Sequence, residues 1–360
     1  MLEYFFVCLL VLACSVAQSA SRRGSVRVFC VASSFLVLLL FLGPRYSYGN
    51  DYWSYFDVYH DSYRLLSSPY NQIEKGWLWL NILMQPFGYR GLIIGTSVVY
   101  LAAIFFFILR EAPQRYVWLS FFLLLVEPSN FLVHLSAMRQ AFAIMIFVVA
   151  VQFLASKKLV LFLLCVFLAS LFHRSALAML PLAIIALPEL NNRLSRLLSG
   201  RRWIYVYLAL YLIFAWLISK YGAHWVDSLQ AEVDRYRGYT ESGTIGTGLG
   251  VLAQAGFFVL FMYYGLRHRG RERILLFVCA TTYLVVPLTF VNALAARLMM
   301  YPQITMLVAL PLILTHEKRK HIRWGIGAVF IAWTLLASYR FWTSEVYAPN
   351  FKMYESVLSN

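Results

Sequence analysis

The run Leu159–Leu187, LVLFLLCVFLASLFHRSALAMLPLAIIAL, is apolar but for two serines and the pair His173–Arg174. A charged side chain at membrane depth costs roughly 2.5 kcal/mol or more on insertion scales, so such residues face a cavity and mark function. The run could be one long helix or two short ones hinged at His173–Arg174, and the parity of the flanking basic turns, which needs an even number of crossings, favours two short spans. We read this pair as the edge of an active site.

Composition agrees with a membrane solvent. Hydrophobic residues make up 61% of the 360, charged residues 13%, and the mean hydropathy is +0.68. The apolar runs are continuous rather than alternating, so helices rather than barrel strands are expected to satisfy the backbone in lipid. The fold class is therefore all-α, one integral membrane domain over residues 1–360 with about 12 transmembrane helices. Cys8, Cys14, Cys30, Cys165 and Cys279 all lie in apolar runs without CxxC spacing, which suggests neither a disulfide nor a zinc site. The first 17 residues lack a basic leader and read as a retained span.

The net charge of +15 would suit nucleic acid, but its distribution follows the membrane. The basic turns at Arg22–Arg27, Arg110–Arg115, Lys157–Lys158, Arg193–Arg202, RHRGRER from Arg267 and HEKRKHIR from His316 fall on one side if Leu159–Leu187 crosses twice. That side then carries nineteen Lys and Arg against four acids, and the other side twelve of each. The excess marks the cytoplasmic side. The external side receives loops 43–88 and 220–248 and a tail, 341–360. Pro128 is expected to break or kink the fourth span.

Arg139, Arg174 and Arg297 are external arginines at the ends of apolar spans, against the charge bias. Guanidinium groups bind phosphate in a fork, so their convergence would make a pyrophosphate site, with Arg235 and Arg237 of the second loop closing over it. The plainer reading is that each snorkels or pairs with Glu127 or another acid. External Asp51 and Glu74 and the embedded His173 are candidate general bases. Tyr52, Trp53, Tyr55 and Trp77 beside them form either a sugar-facing surface or an interfacial belt on an amphipathic helix. No GxGxxG, Walker or GxSxG sequence and no Asp-x-Asp pair occurs.

The segments NDYWSYFDVY, EKGWLWLN, MRQAFA, LFHRSALAMLP, RYRGY, AARLMMY and YAPNFKMY, in this order from Asn50 to Tyr354, resemble the EpsG family, a branch of the Wzy-type bacterial polysaccharide polymerases. The resemblance implies a GT-C-like glycosyltransferase of the bacterial cytoplasmic (inner) membrane, its active site facing the periplasm or exterior. It would join undecaprenyl-pyrophosphate-linked oligosaccharide units, donor and acceptor alike, into surface polysaccharide. It further implies partners such as a chain-length regulator and a flippase. No metal or other cofactor and no nucleic acid is expected, arginines taking the charge of the departing pyrophosphate. The competing readings are an O-antigen ligase with the same donor, and a lipid-linked oligosaccharide flippase or transporter. A flippase would show related halves, and LFHRSAL has no counterpart in the other half. A membrane acyltransferase would need His173 on the cytoplasmic side.

Overall fold

The computed structural model describes residues 1–187, 203–231, 249–289, 295–346 and 348–356. Among these, eight helices are long and apolar enough to cross a membrane, or ten if each of two bent pairs is one span. This is the all-α polytopic architecture the composition predicts. The remaining two crossings were expected from Leu159–Leu187. That run does break where predicted, into α10 (Leu159–Ser170) and a 3₁₀ segment, Arg174–Ala186. Twelve α-helical residues reach only ~18 Å against a ~30 Å hydrocarbon core, so α10 alone does not make the full crossing assigned to it.

The described residues form two compact units that interleave in sequence. Unit 1 comprises Met1–Val149, Phe167–Arg174 and Leu310–Asn360; unit 2 comprises Ala150–Val166 and Ser175–Ala309.

In unit 1, α1 (Leu2–Ala20) and α2 (Gly24–Leu42) form a hairpin through the basic turn. They pack with α6 (Gly88–Glu111) and α7 (Val117–Val126). Pro128 breaks the fourth span as expected: Gln114–Val126 and Pro128–Ser136 meet at 90°. A broken helix in lipid must find other donors for its freed carbonyls. Here Tyr4 Oη donates to Leu125 O, and Asn130 Nδ2 donates to Leu123 O at 3.0 Å. The corner is thus a satisfied polar node, followed by α8 (Leu132–Ser136) and α9 (Met138–Ala155).

The segment 43–88, read from sequence as a loop, is largely ordered secondary structure. It contains β1 (Arg45–Tyr46), α3 (Tyr52–His60), α4 (Ser62–Ser67) and α5 (Lys75–Met84). Aromatic spacing supplies the reason: Tyr52, Tyr55 and Tyr59 fall on one helical face and are buried with Trp77, Tyr89, Leu92, Ile93 and Met138. Gly49, at φ +109°, turns the chain so that Asn50 N donates to Ser136 Oγ at 2.8 Å.

After α15 (Met306–His316) and α16 (Lys320–Thr343), the tail comes back to this segment. β2 (Glu355–Ser356) pairs antiparallel with β1, Gly49 N donates to Asn350 O at 3.1 Å, and Tyr354 Oη donates to Phe41 O at 2.7 Å. The segment after α2 and the tail after α16 therefore share one end of unit 1.

In unit 2, α11 (Trp203–Ala231) runs past its expected end at Ser219 into the second loop, whose residues 232–248 lie outside the described ones. α12 (Leu249–Arg267) and α13 (Gly270–Thr289) follow, and Arg271 Nη1 donates to Ser156 Oγ at 2.6 Å.

Candidate active site

α5 opens on Glu74, whose carboxylate is buried at 7% exposure. Its Oε2 accepts from Arg139 Nη1 at 2.6 Å, and its Oε1 accepts from the backbone N–H of Arg174 at 3.2 Å. One carboxylate therefore joins three stretches that are far apart in the chain: the entrance of α5, the first turn of α9, and the break in Leu159–Leu187.

The join is closed by backbone. Gly76 N donates to Leu171 O at 2.9 Å, and a Cβ on Gly76 would stand 2.6 Å from that same oxygen. Only glycine fits here without displacing main chain. Phe142 and Phe172 pack with ring centroids 4.7 Å apart, and Tyr55 and Trp77 meet edge to face at 5.6 Å. Tyr55 Oη accepts from the backbone N–H of Arg139 at 3.4 Å. Burial pushes the Tyr55 phenol up, while the Arg139 guanidinium beside it pulls the other way.

Of the expected pyrophosphate ligands, Arg139 is paired, and its partner is Glu74 rather than Glu127. Glu127 instead accepts from Ser129 Oγ at 2.9 Å. Arg174 offers its backbone to Glu74 and leaves its side chain exposed. Arg297 is exposed on α14 (Ala295–Gln303) of unit 2. Arg235 and Arg237 lie outside the described residues.

Of the expected bases, Glu74 has both carboxylate oxygens engaged, His173 is half-buried next to Arg174, and Asp51 is exposed at the start of α3. The aromatic residues divide: Tyr52, Tyr55 and Trp77 pack inside the cluster, and Trp53, 47% exposed, presents its ring outward. Gly76 and Leu171, which hold the site together, lie within the segments EKGWLWLN and LFHRSALAMLP, but their approach was not legible there, because a close backbone contact between remote segments has no local pattern.

The family model described as the EpsG family matches residues 28–356, a span that includes every residue of this cluster. No curated protein and no solved structure matches the chain.

Proposed function

The chain belongs to the EpsG family, and from that membership we propose that it is a membrane polysaccharide polymerase of the Wzy type, a glycosyltransferase with a GT-C-like fold. Its substrates are undecaprenyl-pyrophosphate-linked oligosaccharide units on the periplasmic or outer face of the cytoplasmic membrane. One unit is the donor: its anomeric carbon is attacked by a sugar hydroxyl of the second unit, the hydroxyl proton goes to a base, and the lipid pyrophosphate leaves.

The observation that carries this reading is the double engagement of Glu74 by Arg139 and by the Arg174 backbone. It holds Arg139 and the His173–Arg174 break together in unit 1, beside the segment that receives the tail. With each oxygen engaged by a donor, from Arg139 and from the Arg174 backbone, Glu74 acts as a positioning residue. Arg174, exposed beside it, is the guanidinium offered to pyrophosphate. His173 and Asp51 are the remaining bases, and Trp53 the sugar-facing ring. Arginines accept the charge of the leaving group without a metal.

Purified protein incubated with a lipid-pyrophosphate-linked repeat unit in EDTA is expected to give a ladder of products with release of lipid pyrophosphate. Unchanged substrate overturns the polymerase reading, and if that lipid is instead moved across liposome membranes the flippase reading takes its place.

A further inference from the structure

α5 and α6 together form one apolar stretch, Lys75–Glu111, of 37 residues. A single helix of that length would run to about 55 Å against a hydrocarbon core of about 30 Å, so it does not cross as one piece. The stretch is broken by the 3₁₀ turn Gln85–Phe87, which contains Pro86, and by Gly88 at φ +71°. The 24 residues of α6 suffice for the crossing, at about 36 Å. α5, ten residues and about 15 Å long, is left outside it.

Hydrogen bonds fix α5 at both ends. At its start Gly76 N donates to Leu171 O. At its other end Tyr59 Oη donates to Met84 O and Gln85 O, each at 3.3 Å, while Gln85 Nε2 donates to Tyr59 O at 2.9 Å. Trp77, Leu78 and Asn81 are buried on the inner face. The outer face carries Trp79, Leu83 and Phe87, spaced by four and 60%, 69% and 69% exposed. A helix pinned at both ends cannot roll this face inward, so something outside the chain must cover it.

The charges nearby say what covers it. No charged side chain interrupts the stripe, and exposed cations stand beyond its two ends, Lys75 before it and Arg90 after it. A tryptophan at the rim of an apolar face, with cations long enough to reach headgroups on either side, belongs to a helix lying in the plane of a membrane surface. α6, which continues from the stripe into the bilayer, exposes Ile94, Val98 and Val99 in turn. The outer face of α3 differs: there Trp53 is exposed with Asp57 and His60, and those groups belong in water.

We propose that α5 with the Gln85–Phe87 turn is an interfacial helix, its Trp79–Leu83–Phe87 stripe seated in the boundary between headgroups and acyl chains. The partner is the lipid surface itself. The 43–88 segment is then not wholly in water, and the interfacial belt falls to these three residues, since Tyr52, Tyr55 and Trp77 pack inside. Glu74 stands at the entrance of α5 and Gly76 in its first turn, so the seat also sets the depth of the Glu74 cluster at headgroup level. The inference rests on the membrane class of the chain and not on the polymerase reading.

The test uses the full, unsubstituted chain, one copy per nanodisc, in phosphatidylcholine that carries a photoreactive diazirine near the carboxyl end of one acyl chain. A single copy excludes cover by a second chain, and a pure phosphatidylcholine bilayer excludes cover by a lipid-linked sugar. One sample is oxidised by hydroxyl radicals generated in the water, a second is irradiated, and both are mapped by peptide mass spectrometry. Trp79 is expected to be oxidised several-fold more slowly than Trp53, a side chain of the same type and of lower exposure in the protein alone. Lipid adducts are expected on the peptide that holds Trp79, Leu83 and Phe87. The proposal is overturned if Trp79 is oxidised as fast as Trp53, which puts the stripe in water, or if that peptide carries no lipid adduct, which assigns any protection to protein.

Discussion

Glu74 and Arg139 stand 65 positions apart in the chain and meet at 2.6 Å, with side-chain exposures of 6% and 18%. This ion pair ties the segment after α2 to the first turn of α9. Breaking a buried pair from one side leaves the other charge uncompensated, which typically costs about 3–5 kcal/mol. Glu74→Gln and Arg139→Met are each expected to lower the thermal midpoint and abolish polymer, and the double variant to recover part of the stability without the activity. A double-mutant cycle on the thermal midpoint checks this, and additive losses would remove the pair from the account of the site.

Gly76→Ala tests the backbone clamp. A Cβ 2.6 Å from Leu171 O forces main chain apart, at a cost of about 1–3 kcal/mol. Hydrogen exchange is expected to rise at residues 171–174 and at the start of α5, with polymer yield falling. Unchanged exchange at both segments would mean the clamp is not needed.

Arg174→Ala removes an exposed side chain whose backbone N–H remains free to hold Glu74. Stability should stay within about 0.5 kcal/mol, as for surface substitutions generally. Cells are expected to keep normal protein levels, lose polymer and accumulate single repeat units. A fall in protein level with the loss of polymer would make the residue structural.

Tyr354→Phe deletes the hydrogen bond to Phe41 O and is expected to cost about 1 kcal/mol, a typical net value. Burial pushes the Tyr354 phenol up to about 12, so the hydroxyl keeps its proton and the bond is insensitive to pH through the neutral range. Limited proteolysis should cut the tail sooner in the variant. Equal cleavage rates would assign the hold to the β1–β2 pairing instead.

Trp53 and Trp77 separate the two readings of the aromatic segment. Trp77→Ala empties a fully buried site and should destabilise by about 3–5 kcal/mol. Trp53→Ala, on an exposed ring, should leave the midpoint unchanged and raise KM for the lipid-linked unit. An unchanged KM takes Trp53 out of sugar binding.

Hydropathy alone determines the membrane class of this protein, because backbone groups in lipid leave helices as the available structure for continuous apolar runs. The break at His173–Arg174 and the corner at Pro128 were equally legible, since a charge in an apolar run and a proline in a helix act through local cost. Ordered motifs from Asn50 to Tyr354 pointed to the family that matches residues 28–356. Only tertiary structure decided that Arg139 pairs with Glu74 and that Gly76 lies against Leu171. These are contacts between segments many tens of residues apart, set by how helices pack. Local pattern records which residues must leave lipid, and packing decides which of them meet.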